Sequence, residues 1–203
     1  MGLFSLKGKL SFLGRSRATL AELQALGETT TKAGLATVQK LTEGEVATAL
    51  PKVALVATGA LPHVLAAHAA SDIAARFPFS GDAPGLALTF FTKDDARRLV
   101  ELMLAKPPGA VKSFGALEES AIAEMTNIAL NGCINAVAEA TGARFATGVP
   151  EVKRPVKDLA AFLAFDAAGT DHVVVVETPF EERSRGVKGT MVVVFGVKAE
   201  AET

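Results

Sequence analysis

Residues 117–152, LEESAIAEMTNIALNGCINAVAEATGARFATGVPEV, read as one long helix, a short turn and a strand that ends at a proline. Within the helix, Ser120, Glu124, Asn127 and Asn131 follow one another at spacings of four, three and four. An α-helix turns once in about 3.6 residues, so this spacing stacks the four side chains along one face. Ala121, Ile122, Met125, Ile128, Ala129, Gly132, Cys133 and Ala136 are expected to form the opposite, core-facing stripe. Asparagine is a poor choice for a helix interior, because its short amide competes with the backbone for hydrogen bonds. The polar line also fits a solvated helix face, but such a face would favour Lys, Glu or Gln, so two asparagines in mid-helix call for a reason.

Shifting the chain by 99 residues lays its first half on its second. Leu23 falls on Ile122, Leu26 on Met125, Val38 on Val137, Thr42 on Thr141, Val46 on Phe145, Leu50 on Val149, Pro51 on Pro150 and Val53 on Val152. Beyond these positions, residues 73–79 and 86–91 around the turn SGDAPG match residues 173–178 and 191–195 around a longer polar turn. Each pair of segments is an expected antiparallel hairpin. The chain is therefore an internal duplication. The expected fold class is α/β of the α+β kind: pseudo-twofold duplicated helix–strand–hairpin units whose strands join in one largely antiparallel sheet flanked by helices.

Residues 19–42 are expected to form the first helix, although Thr29, Thr30 and Thr31 weaken it by propensity. Thr92, with Asp95 three residues on, marks the N-cap of another helix, which Pro107, Pro108 and Gly109 bring to a stop. Residues 157–162 are expected as a short helix matching residues 61–66. This gives an N-terminal arm over residues 1–18, a first repeat over 19–109 and a second over 110–203. Two small hairpin units would be unstable alone, so one fused domain is expected. The arm mixes Leu3, Phe4, Leu6, Phe12 and Leu13 with Lys7, Lys9, Arg15 and Arg17, which fits either a docking tail or a segment packed on its own domain. Its lysines break any signal-peptide core.

The 203 residues carry 49% hydrophobic and 21% charged side chains and a net charge of −1, which gives no global attraction to nucleic acid. No apolar run approaches the length of a membrane span. One cysteine excludes an intrachain disulfide and fits a reducing compartment, so a cytoplasmic location is expected. Cys133 is expected to be a buried, inert thiol on the apolar face. His63, His68 and His172 lack metal-ligand spacing, so no metal is expected to bind the chain itself. Residues 181–185, EERSR, read as a charged loop tip, either solvated or helping to steer a partner.

Ser120-x3-Glu124-x2-Asn127-x22-Pro150 fits, position for position, the Asp/Ser-x3-Glu-x2-Asn-x22-Pro signature of the CheC/CheX/FliY family of chemotaxis phosphatases, which the chain therefore resembles. The duplicated layout over residues 20–197 looks like CheC in particular. That resemblance implies hydrolysis of the aspartyl-phosphate on a response regulator, typically phosphorylated CheY. Asn127 would orient the attacking water and Glu124 would pair with a lysine of the regulator. Ser120 and Asn131 would support the helix face, and Pro150 the strand end that buttresses it. The family's Mg2+ belongs to the regulator, so the chain would need no cofactor of its own.

The first repeat carries Ala21, Ala25 and Glu28 at the signature positions and keeps only Pro51. One site, in the second repeat, is therefore expected. A non-catalytic alternative stays open: an adaptor of the same fold that binds the receptor deamidase CheD or a flagellar switch component, as switch proteins such as FliM share the fold without the Glu and Asn.

Overall fold

The computed structural model describes residues 10–11, 20–167 and 169–199. In chain order the elements are β1 (Leu10–Ser11), α1 (Leu20–Thr42), β2 (Val46–Thr48), β3 (Lys52–Ala57), α2 (Leu61–Val64), β4 (Ile73–Gly81), β5 (Gly85–Phe91) and α3 (Lys93–Met103). The second half continues with α4 (Ala116–Thr141), β6 (Phe145–Thr147), β7 (Glu151–Lys153), α5 (Leu159–Phe162), β8 (His172–Glu182) and β9 (Val187–Ala199). α1 and α4 end 99 residues apart, and β2 and β6 begin 99 apart, at the offset read from the sequence. The chain thus has the mixed helical and antiparallel α+β architecture. Of the arm expected over residues 1–18, only Leu10–Ser11 is described, paired with the end of β9. No helix among the described residues is long and apolar enough to cross a membrane.

Every strand pairing among the described residues is antiparallel, and the central order is β2-β8-β9-β5-β4-β6. The outer strands cross between halves. β2 and β3 pair with β8 of the second half, and β6 and β7 pair with β4 of the first. Each hairpin therefore completes its sheet with strands that belong to the other repeat.

Two prolines shape these outer seams. Pro179 O accepts a bond from Thr48 Oγ1 at 2.7 Å, and Pro78 O accepts from Gly148 N at 2.8 Å. In an antiparallel strand a residue's N–H and C=O face the same neighbour, so each proline presents its donor-less nitrogen to an outer strand. The outer strand leaves the ladder at that point. Between the pairs Thr48↔Phe180 and Lys52↔Glu177, Thr178 and Pro179 face residues 49–51. Between Thr147↔Phe79 and Glu151↔Arg76, Phe77 and Pro78 face residues 148–150. The outer chain has one residue more than its partner in each gap, which is a β-bulge. Leu50 and Val149 stand at the two bulge tips, 79% and 85% exposed, and Pro51 and Pro150 return the chain to the ladder.

Both faces of the sheet are covered, which is why β5 is buried along its whole length. α1, α3 and α4 cover one face over Phe77, Ala87, Val174, Val176 and Phe195. Leu61, Leu65, Val156, Phe162 and Leu163 cover the other, over Leu86, Leu88, Val173, Val175 and Val192. The threonines of α1 do not break it, because Thr29, Thr30, Thr37 and Thr42 each donate to the carbonyl four residues back. Thr31 instead meets Thr178 Oγ1 at 2.8 Å, which ties α1 to β8. Thr92 caps α3 as expected, its hydroxyl accepting from Asp95 N at 3.1 Å.

The tip over residues 181–185 differs from its reading as a solvated turn. Glu182 is fully buried and accepts the amides of Ser184 and Arg185, while Arg185 turns inward to Lys106 O and Glu101. Glu182 and Arg185 thus close the segment on itself and on the connector after α3, while Arg183 stays exposed and pairs with Glu45.

α1 and α4 cross in close contact. A Cβ at Gly34 would stand 2.4 Å from Cys133 Sγ, and one at Gly132 would stand 3.0 Å from Thr37 Oγ1. Gly34 and Cys133 are also equivalent under the 99-residue shift, so the crossing lies near the pseudo-twofold axis. Gly34→Ala is expected to destabilise the protein by about 1–3 kcal/mol through overpacking. Adding Cys133→Ala should return most of that loss, a coupling measurable by urea denaturation of both single variants and the double. Simple addition of the two effects would show that they do not meet at this crossing.

Candidate functional site

α4 is fixed at both ends and along its length before its outer face comes into play. At its start, Gly115 N donates to Glu118 Oε2 at 2.9 Å, and Arg154 reaches back to pair with Glu119 and to donate to Phe114 O. The Arg154 guanidinium lies 5.6 Å over the Phe114 ring. Upstream, Val111 N donates at 3.0 Å to Glu101, a carboxylate only 2% exposed, and Arg97 holds Lys112 O. Gly142 ends the helix in the left-handed region at φ 76°, where glycine carries no steric penalty. In the middle, Thr126 and Thr89 of β5 share a buried hydroxyl bond of 2.8 Å. That bond sets the rotation of the helix on the sheet.

The outer face then follows. Ser120 and Glu124 are exposed, while Asn127 and Asn131 are part-buried. Asn131 Nδ2 donates to Asn127 Oδ1 at 2.8 Å, so the structure brings the two amides into one unit. The bond uses one lone pair of Oδ1, and the amide inventory leaves Asn127 one lone pair and two N–H groups. Pro150 stands on the bulge that precedes β7, and β7 packs against α4. In the first half, a Cβ at Gly27 would meet Val53 at 2.7 Å and Pro51 at 3.9 Å. The corresponding residues 99 further on are Thr126, Val152 and Pro150.

The buried face of α4 is wider than expected and rotated from it. Ala121, Ile122, Met125, Ala129 and Cys133 are buried as read, joined by Thr126, Leu130, Ile134 and Val137, whereas Ile128, Gly132 and Ala136 are only part-buried. Thr126 of the added set meets Thr89 of β5, and Leu130, Ile134 and Val137 follow it on the same flank, away from Gly132 and α1. Thr126 was legible in principle: a hydroxyl spaced with Ile122, Ala129 and Cys133 on the apolar face needs a buried partner. Arg154, Glu119 and Phe114 carry no such local signal.

Burial pushes the Cys133 thiol up to about 12, so it stays protonated and inert. The Val111 amide is the foremost of the backbone donors that hold Glu101 below the usual carboxylate range, aided by Arg185. Burial raises Asp95 and Glu182, yet bonds from Thr92, Lys188 N and Arg98 in one case, and from Ser184 and Arg185 N in the other, leave both lowered. No group of three or more His, Cys, Asp and Glu among the described residues is placed to hold a metal ion. Two clefts of about 480 Å3 lie elsewhere, one lined by His68, Phe90 and Asp95, the other by Arg76, Arg154 and Phe162. Neither includes Glu124 or Asn127.

No family model and no curated protein sequence matches the chain. Solved structures do. FliY from Thermotoga maritima superposes with a TM-score of 0.64 at 16% identity, over 88% of this chain and 91% of that one. A CheC-like protein from Shewanella sp. PV-4 gives 0.60 at 15% identity, over 84% and 96%. The fold is that of the CheC, CheX and FliY proteins. CheX from Borrelia burgdorferi, solved in complex with CheY, BeF3 and Mg2+, gives 0.52 at 12% identity, over 84% and 96%. The FliM middle domain from Vibrio alginolyticus shares the fold as well, at 0.56 and 17% identity over 86% and 92%. CheX-type and CheC-like chains align with the same share of this protein, so the two-half layout does not set it closer to CheC.

The network around Glu101 makes a testable contribution. A carboxylate whose folded pKa is lowered stabilises the fold above its unfolded pKa, and this stability is lost as the pH falls through the folded value. Glu101→Gln should cost about 1–3 kcal/mol near neutrality. In urea titrations the gap to the wild type should stay constant down to about pH 5 and close below about pH 4. A gap independent of pH would show that the charge of Glu101 contributes nothing.

Proposed function

We propose that this protein is a phosphatase of response regulators, which hydrolyses the aspartyl-phosphate of a CheY-type receiver domain through Glu124 and Asn127. The observation that carries this reading is the oriented amide of Asn127, held on a rigid helix beside an exposed Glu124. An exposed Glu124 and a part-buried Asn127 on one helix face make a site open to solvent. It suits a folded partner that brings its own phosphoryl group, metal and cleft, into which the helix is inserted. A CheX of the same fold is bound to CheY with Mg2+ and BeF3, whose beryllofluoride stands in for a phosphoryl group.

In this reading water attacks phosphorus in line with the acyl oxygen. The new O–P bond forms as the bond to the aspartyl oxygen breaks, leaving the carboxylate and H2PO4−, with both protons of the water retained on phosphate. Phosphoryl transfer of this kind is accelerated mainly by positioning and charge stabilisation. A neutral amide can accept from the water and donate to a phosphoryl oxygen without repelling it, as a carboxylate would. Glu124 pairs with a cation of the regulator, and Mg2+ belongs to the regulator.

A second reading, a non-catalytic adaptor that binds CheD or a switch component, is favoured by the shared fold of the FliM domain. The test that separates them is release of phosphate from a phosphorylated CheY-type regulator with and without the protein. Acceleration that Asn127→Ala removes, with regulator binding intact, supports the enzyme. Glu124→Ala should lower affinity as well as rate. Changes at Ala25 and Glu28 should leave the rate within about twofold, the scatter of surface substitutions. No acceleration with several regulators by folded protein would favour the adaptor.

A further inference from the structure

We infer that Asn131 is a positioning residue for the Glu124/Asn127 site: it fixes which end of the Asn127 amide faces the substrate. This inference rests on the phosphatase reading given above.

Three independent observations carry it. Asn131 Nδ2 donates to Asn127 Oδ1 at 2.8 Å, one helical turn apart, and both side chains are part-buried. Asparagine at two interior helix positions is unfavourable by propensity, so the pair is not explained by helix stability. In the first half of the same chain the equivalent residues are Glu28 and Lys32. Where the first amide is replaced, the second is replaced with it.

The chemistry of the pair is directional. Asn131 can donate to Oδ1 only while the Asn127 amide has its carbonyl end turned toward the C-terminus of α4. The remaining lone pair of Oδ1 then accepts a hydrogen bond from the attacking water, and the Nδ2 hydrogens are left for a phosphoryl oxygen. If Asn127 turned over by half a revolution about its last torsion, its carbonyl oxygen would meet the phosphoryl anion instead. Asn131 holds no substrate atom; it removes that second orientation.

The test uses Asn131→Asp, Asn131→Leu and Asn131→Gln in the full chain, with single-turnover dephosphorylation of a phosphorylated CheY-type receiver domain at increasing protein concentration. Aspartate keeps the shape and reverses the bond, because it can only accept and so turns the Asn127 amide over. Asn131→Asp and Asn131→Leu are expected to lower the maximal rate by roughly 10–100-fold, the penalty typical of a misplaced group. The half-saturating concentration and the thermal midpoint should scarcely move. Asn131→Gln, which keeps a donor amide, should recover most of the rate. In nitrogen-edited spectra the Asn127 side-chain amide signals should shift in Asn131→Asp and Asn131→Leu. Acceleration by the wild type with unchanged rates in both variants would overturn the role of Asn131 alone. No acceleration by the wild type would overturn the phosphatase reading and this role with it.

Discussion

The exchange of outer strands between the two halves is the constraint on which the remaining structure depends. Among the described residues β2 and β3 pair with β8, and β6 and β7 pair with β4, so the outer strands of each repeat are satisfied by the other. Unpaired backbone groups in a covered sheet are costly, which makes the two halves fold as one unit. Pro78 and Pro179 then limit how the exchange is made. They deny a donor to the outer strand at one place in each seam, and the chain answers with a bulge and an exposed apolar tip. The signature proline of each half is the residue that re-enters the ladder.

The same exchange fixes the helical layer. The strand that follows each long helix is bound to the opposite hairpin, so α1 and α4 cross over the middle of the sheet. A glycine on each helix permits the approach: Gly34 meets Cys133, and Gly132 meets Thr37. Two buried hydroxyl pairs, Thr31 with Thr178 and Thr89 with Thr126, then remove rotation about the helix axes. Exposure of Glu124 and the half-exposure of Asn127 follow from these contacts, since a turn of one residue would bury or scatter the whole polar line.

Much of this was legible because the chain states it twice. Helix ends, the short strands and the hairpins recur at one offset, and a pattern repeated within a chain is less open to chance than either copy alone. The polar line Ser120, Glu124, Asn127, Asn131 was legible because helical spacing places residues without help from distant contacts. What escaped were features made by residues far apart in sequence. The inward fold of residues 181–185 depends on Glu101 and Lys106, and the wide buried arc of α4 extends to Thr126, which meets Thr89 of β5. Charge alone could not tell the Glu182 carboxylate, buried on its own turn, from a solvated one. The bulge explains why Leu50 and Val149 look like core residues in sequence yet stand in solvent.

The duplication preserves geometry and divides chemistry. α1 presents Ala21, Ala25, Glu28 and Lys32, all exposed, where α4 presents Ser120, Glu124, Asn127 and Asn131. Glutamate and lysine at such a spacing are ordinary helix neighbours, worth about a few tenths of a kcal/mol at most where they pair. The amide pair on α4 forgoes that gain and acquires direction instead. In the proposed reading that direction serves the water and the phosphoryl oxygen held in the regulator's cleft, and the propensity given up on this helix face is the cost of orientation.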